Sequence, residues 1–464
     1  MADQAKGQFK EQGGAATMDP NVVLRWLTSK MMSRMSSEGA QVKARHKAEQ
    51  KRRKLSLPHT IEYFHQVGDG YSHLAVQLLA KIQERYKVEL HCHLVSESTG
   101  ANLPEPELLS KLSCYDANQI APYYGLEPTG ADGVVAPELV TQTVSILAGL
   151  SNEDFTQQGA AVSSAMWGSD ELALSNYEQQ LGAANAEQEQ AVLQAGNNRR
   201  AELKHYSGAM FFYGDEWYWG VDRLYHLEQR LAELGLDTTP EQPMLAPRKN
   251  VSAGSLTDDG QLTLEIYPSL RSPYTAVVFD QTVKFAAEAG VQLKVHPVLP
   301  MVMRGVPATM EKGRYILFDA GREARAAGVP FGPCADPIGE PTRRAYSLYA
   351  WAEEQGKAVE FFSAFLRCAW VDAVNTNTDK GMQVVVERAG LDWSVAKTLI
   401  GQLGWEASIE ENRRAMYELG LWGVPSYRLL DETGDTVLAL WGQDRLWTMA
   451  AAIQRQLQKR TETS

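Results

Sequence analysis

Cysteine is scarce: Cys92, Cys114, Cys334 and Cys368 are the four in a chain of 464 residues. So few exclude a disulfide scaffold, and none pairs as CxxC, which argues against a dithiol redox centre and a cysteine-rich zinc site. Long apolar runs are missing too. None approaches the ~18–20 residues a membrane span needs, and the N-terminus has no apolar core of the kind that directs secretion. These absences together point to a reducing cytoplasm. The sequence also lacks GxGxxG, a P-loop, HExxH and GxSxG.

What is present is substantial. With 44% hydrophobic residues and 11 Trp, most of the chain can bury a core, and its length implies two or three domains. The formal charge of −12 is an average over unlike parts. Residues 1–57 hold 12 Lys+Arg against 5 Asp+Glu, a net of +7, leaving −19 for the rest. An acidic body repels nucleic acid and anionic membranes, so nucleic acid is not an expected ligand of it.

The leader, 1–57, begins with a Gly, Ala and Gln-rich stretch over 1–18 that has no pattern. Asp19-Pro20 reads as N-cap and first helical residue. Val23, Trp26, Leu27 and Met31 then recur at helical spacing, and 41–54 is rich in Lys and Arg. Two readings follow: a basic arm whose 41–54 stretch binds a partner such as nucleic acid or a membrane surface, or a solvated helix packing Trp26 and Leu27 onto the body.

An internal repeat organises the remainder. Glu62-Tyr63-Phe64 is echoed by Glu265-Ile266-Tyr267. The same separation pairs Tyr71 with Tyr274, His93 with His296, Pro104 with Pro307, and Asp116-Ala117 with Asp319-Ala320. Farther on, Trp219-Gly220-Val221-Asp222-Arg223-Leu224 returns as Trp441-Gly442-Gln443-Asp444-Arg445-Leu446. A period this long means a duplicated domain rather than a solenoid. The Pro and Gly-rich segment 236–260 reads as the linker between halves at 58–235 and 261–464. The second half opens with a strand at Leu262–Tyr267, a helix from Pro273 stopped by Gly290, and a strand at Val291–Val298. A helical stretch over roughly 308–420 follows, then two strands and a closing helix. This strand–helix–strand, helical insertion, strand–strand–helix order is that of a thioredoxin fold with an inserted helical subdomain, here in two tandem copies.

Three separated elements of the second half offer chemistry. In Arg271-Ser272-Pro273-Tyr274, Pro273 suits the first helical turn and sets Ser272 at the N-cap, where free N–H groups and partial positive charge favour an anion. The plain alternative is that Ser272 only caps its helix. In Gly423-Val424-Pro425-Ser426 the proline enters a strand, and a cis bond there exposes the Val424 backbone to a peptide-like ligand. In Gly442-Gln443-Asp444-Arg445, Asp444 either caps the last helix or offers a carboxylate to an ammonium group. His296 and His93 share a strand position, which reads as packing. His91-Cys92-His93 has no second cluster to complete a zinc site, so no metal is expected.

Taken together these elements resemble the DsbA-like thioredoxin superfamily, in the branch of 2-hydroxychromene-2-carboxylate isomerase and kappa-class glutathione transferase. The resemblance is carried by Ser272-Pro273-Tyr274, Gly423-Val424-Pro425 and Gly442-Gln443-Asp444-Arg445, in family order. It covers about 260–460, and reaches 60–235 only through the repeat. It implies glutathione as cofactor. Ser272 would face the glutathione sulfur as the catalytic residue, Val424 before the cis Pro425 would bond the cysteine backbone, and Asp444 beside Arg445 would meet the γ-glutamyl end. Two departures stand out. Gly305-Val306-Pro307 replaces the Asn-x-Pro element usual in the branch, and the first copy has Asp69 and Gly70 at the Ser272 and Pro273 positions. Ala209 and Met210 similarly stand for Val424 and Pro425.

The expected activity is isomerisation or transfer on a small organic electrophile, with a second copy of the chain as an expected partner. A non-catalytic tandem binding protein and a thiol–disulfide oxidoreductase are the competing readings. The enzyme reading is strengthened by a cis Val424–Pro425 bond that faces Ser272 across an open, solvent-reachable cleft, and weakened sharply if Trp422 or Trp441 fills that space.

Overall fold

The computed structural model describes residues 19–130, 135–306 and 308–463. The 1–18 stretch of the leader and Pro307, paired above with Pro104, lie outside the described residues. The chain forms two compact units, one of residues up to Val42 together with Asn250–Ser464, the other Lys43–Lys249.

In the Lys43–Lys249 unit, β1 (Thr60–His65) runs parallel to β2 (Glu89–Leu94) and antiparallel to β3 (Met210–Tyr213), which pairs with β4 (Glu216–Trp219). The sheet order is β2-β1-β3-β4. Helices Gly70–Val76 and Leu79–Arg85 make the crossover from β1 to β2, and helices from Pro106 to Glu202 lie between β2 and β3. The other unit repeats this order. There β5 (Thr263–Tyr267) is parallel to β6 (Gln292–Val295) and antiparallel to β7 (Ser426–Leu430), which pairs with β8 (Thr436–Trp441), giving β6-β5-β7-β8. This unit is a mixed α/β thioredoxin-type domain.

Local chemistry accounts for the second crossover. Ser272 caps the helix Pro273–Ala289, with Pro273 in its first turn, where a missing N–H costs nothing. Gly290 ends it at φ 75°, and a side chain there would meet the Asp258 carbonyl at 2.1 Å, so only glycine fits. The predicted helical stretch resolves into six helices between Met310 and Glu418. Phe279, Phe362, Phe365 and Trp370 bury their rings between these helices and the sheet, with Phe279 and Phe362 centroids 4.9 Å apart.

The leader departs from expectation. The first helix is Val22–Ser36, capped by Asn21 rather than Asp19. Asp19 is engaged elsewhere: it pairs with Arg25 at 2.5 Å and accepts from the Glu340 amide at 3.2 Å. Trp26 and Leu27, expected in one reading to pack inward, are 59% and 51% exposed. The inward side of the helix instead carries Arg25, Met32 and Ser36.

Candidate functional site

The site begins in the turn after β5. Trp370 Nε1 donates to the Leu270 carbonyl at 3.0 Å, and the Arg271 guanidinium pairs with buried Asp336 at 2.9 Å. The turn is thus fixed before the helix starts. The Thr275 amide donates to Ser272 Oγ at 3.2 Å, the N-cap bond that makes Ser272 the helix boundary. The Ser272 hydroxyl then donates to the Val424 carbonyl at 3.2 Å.

Val424–Pro425 is a cis bond. Its loop is tightened by Ser426 Oγ donating to the Gly423 carbonyl at 2.7 Å. A side chain on Gly423 would lie 2.2 Å from Trp441 Nε1, so glycine lets the indole rest against the loop. Trp422, buried, meets Trp441 edge to face at 5.7 Å. The two indoles flank Gly423; between Ser272 and Val424 there is a direct hydrogen bond.

The third element joins through the backbone: the Gly442 amide donates to the Pro425 carbonyl at 3.0 Å. Gln443–Arg445 form a short turn before the helix Leu446–Thr463. Gly442 sits at φ 123°, and Asp444 Oδ1 folds to within 2.6 Å of where its Cβ would be. Asp444 lies 3.5 Å from Arg445 Nη1, with Arg445 buried and Asp444 partly exposed. Gln443 Nε2 donates to buried Glu323 at 3.0 Å. Ser272, Val424, Pro425, Asp444 and Arg445 therefore come from three distant segments linked by two hydrogen bonds. Asp444 is partly exposed and faces buried Arg445, whose Nη1 also donates to the Asp444 carbonyl at 3.2 Å.

Sequence reasoning missed Lys312. It is buried near the start of the helix Met310–Ala327, its Nζ 4.8 Å from the Trp422 ring centroid. Burial pulls its amine down to about 8. Its position in a helix's first turn signals nothing of this; only the packing of Trp422, two residues before Val424, reveals it.

The Lys43–Lys249 unit carries related geometry with different chemistry. Asp69 caps Gly70–Val76, accepting from the Ser72 amide at 2.8 Å, and burial raises its carboxyl. A side chain on Gly70 would meet the Ser113 carbonyl at 2.7 Å, where the other unit accommodates Pro273. The strand register corrects one expected correspondence. Met210 pairs with Trp219 as Ser426 pairs with Trp441. Gly208 and Ala209, not Ala209 and Met210, thus stand for Val424 and Pro425. The Gly220 amide accordingly donates to the Ala209 carbonyl at 2.7 Å.

His296 stacks on Tyr267 and lies 3.3 Å from Glu265; His93 stacks on Phe64 and lies 3.0 Å from Glu62. Both serve as packing and pairing groups on the sheet. The cysteines are all free, and burial pushes Cys334 up to about 12 and Cys368 up to about 11. None stands at the Ser272 helix start. Among the described residues, no three His, Cys, Asp or Glu converge as metal ligands.

A sheet of this order, a helix capped beside a cis-proline loop and a helical insertion define a DsbA-like thioredoxin domain, and residues 263–454 match the DSBA-like thioredoxin domain family. The chain is 20% identical over 211 residues to 2-hydroxychromene-2-carboxylate isomerase of Pseudomonas putida, a match covering 44% of this chain and 100% of that relative. Similar solved structures include a 2-hydroxychromene-2-carboxylate isomerase (18% identity, TM-score 0.37, 44% of this chain and 99% of that one). Another is the cytosolic disulfide reductase DsbM from Pseudomonas aeruginosa (18% identity, TM-score 0.33, 44% and 100%).

Proposed function

We propose that the C-terminal unit binds glutathione, or a similar thiol, and catalyses isomerisation or transfer on a small organic electrophile in a reducing cytoplasm. The observation that supports this most is the 3.2 Å contact between Ser272 Oγ and the Val424 carbonyl beside the cis bond. It sets a hydroxyl, a helix N-terminus and a peptide backbone at one point. The residues present fit a thiol tripeptide. The helix start favours a thiolate by roughly 0.3–1 kcal/mol, Val424 offers backbone pairing, and Asp444 offers a carboxylate to an ammonium. Bound glutathione would supply the nucleophilic thiolate, whose free pKa is roughly 8.5. Ser272 would stabilise that thiolate by donating its hydroxyl proton, released from Val424.

We further read the two units as tandem copies, the first degenerate for thiol chemistry because Asp69 puts a carboxylate at its helix start. Support comes from bonds that recur at equivalent positions. Tyr71 donates to Asp116 at 2.9 Å and Tyr274 to Asp319 at 2.7 Å. The Gln66 amide donates to Ser72 Oγ and the Ser269 amide to Thr275 Oγ1.

A second reading, a non-catalytic binding protein, is favoured by the burial of Ser272, which leaves its hydroxyl little exposed surface to offer a ligand. Calorimetric titration of glutathione into the full chain separates the two. Binding that weakens in Asp444→Ala and Ser272→Ala supports the proposal; no heat at millimolar glutathione overturns it.

A further inference from the structure

The helix Val22–Ser36 is held by its polar side. Buried Arg25 donates to the carbonyls of Asp336 at 3.0 Å and Ile338 at 2.5 Å. Ser29 Oγ accepts from the Asp336 amide at 2.9 Å, and Ser33 Oγ from the Cys334 amide at 2.9 Å. Arg325 donates to the Ser36 carbonyl at 2.9 Å. All these anchors lie in one compact unit.

The apolar side is left facing outward. Val22, Val23, Leu24, Trp26, Leu27 and Met31 are all exposed. A surface helix ordinarily buries its large apolar side chains; here Met32 packs into the core while these six face out, with Lys30 and Arg34 among them. Contiguous exposed apolar surface of this kind marks an interaction site.

Charge decides among the occupants. Between Val22 and Ser36 the charged residues are Arg25, Lys30 and Arg34, with no carboxylate. Lys30 and Arg34 are exposed, at helical spacing from Leu27 and Met31 and so on the same outward side. A second copy would set like charges against each other. Residues 1–18 offer only Met1, Phe9 and Met18 as large apolar side chains, too few to cover the face. An anionic lipid surface satisfies both halves of the pattern: Trp, Leu and Met side chains enter the acyl boundary while Lys and Arg meet the headgroups. The helix has 15 residues, and no described helix is long and apolar enough to cross a membrane, so the geometry is that of a helix lying in the interface.

We propose that the outward face of Val22–Ser36 docks the protein peripherally on an anionic lipid bilayer. The test is co-sedimentation of the full chain with phosphatidylcholine vesicles, with and without phosphatidylserine. The parent should bind the phosphatidylserine vesicles and release from them at high salt. Trp26→Ser with Leu27→Ser, both exposed and so neutral to folding, should weaken binding about tenfold or more, since each side chain brings apolar area to the bilayer. Lys30→Glu with Arg34→Glu should abolish the preference for phosphatidylserine while leaving the apolar face intact. Urea midpoints matching the parent's confirm that each variant is folded. Absence of vesicle binding, or binding indifferent to both double variants, overturns the proposal. So does a dimer, seen by sedimentation equilibrium, that the Trp26/Leu27 variant dissolves, for the face would then join two copies.

Discussion

Ser272 Oγ donates to the Val424 carbonyl oxygen at 3.2 Å, across a separation of 152 residues. Ser272 Oγ also accepts the Thr275 amide, so one hydroxyl both caps a helix and ties it to the cis-proline loop. Ser272→Ala should cost about 1 kcal/mol through the lost cap, read as a lower urea midpoint. Ser272→Cys would place a thiol at the helix N-terminus. Its pKa, followed by thiolate absorbance, should fall below the ordinary value of roughly 8.5. A value above that would refute a thiolate-stabilising role for the helix start.

Lys312 gives a stability signature on the alkaline side. Burial lowers its amine from 10.5 to about 8, so the folded chain binds fewer protons there than the unfolded chain. The burden of burying the charge is full below pH 8 and is relieved as pH rises from about 8 towards 10.5. Lys312→Met should therefore gain most over the parent at neutral pH, and that advantage should shrink by pH 10.5. Paired urea titrations at both pH values check this; a gap independent of pH would contradict it.

Glu62 gives the opposite signature in acid. Although burial opposes ionisation, the hydrogen bonds from Arg199, at 2.6 Å and 2.7 Å, and from His93 lower its carboxyl from 4.5 to about 2. A depressed carboxylate contributes stability that is present above pH 4.5 and lost as pH falls towards 2. Glu62→Gln should be less stable than the parent at pH 6 and nearly equal to it near pH 2. Unchanged separation of the two midpoints across that range would exclude the pairing as a source of stability.

Tyr274 and Tyr71 each donate to a buried aspartate at the helical layer, Asp319 and Asp116 respectively. Removing one hydroxyl leaves a buried acceptor short of a partner, so Tyr274→Phe and Tyr71→Phe should each cost about 1–3 kcal/mol. Hydrogen exchange should localise each loss to its own unit. A loss in only one unit would show that the matching bonds are not energetically equivalent.

Arg25 anchors the first helix through two main-chain carbonyls and Asp19. Arg25→Ala should accelerate amide exchange over the N-terminal turns of Val22–Ser36 while the strands of the same unit stay protected, because the remaining anchors are two hydroxyl bonds at Ser29 and Ser33 and, at the far end, Met32 and the Arg325 bond to the Ser36 carbonyl. Unchanged exchange would place the helix's hold elsewhere.

Much of this architecture was legible because its causes are local. The helix start at Ser272-Pro273 and the stop at Gly290 follow from capping and backbone rules that act within a turn. The repeat also announced contacts without naming them: Glu62 and His93 recur as Glu265 and His296, and each pair touches. Other expectations failed where a distant partner outweighed the local rule. Asp19 reads as an N-cap, yet Arg25 and the Glu340 amide claim its carboxylate, and Asn21 takes the cap. Trp26 and Leu27 read as an inward stripe, yet the Asp336, Ile338 and Cys334 backbone accepts and donates hydrogen bonds that only the polar side of that helix can answer.

By itself the sequence determined the order of strands and helices in the C-terminal half and the place of the three motifs along it, since periodicity, composition and turn chemistry act over a few residues. Tertiary structure alone decided that Ser272 bonds Val424 and that the Gly442 turn joins Pro425, that Lys312 lies buried against Trp422, and that Gly208-Ala209 answer Val424-Pro425. Those outcomes depend on strand register and side-chain packing between segments far apart in the chain, where a one-residue shift changes every neighbour.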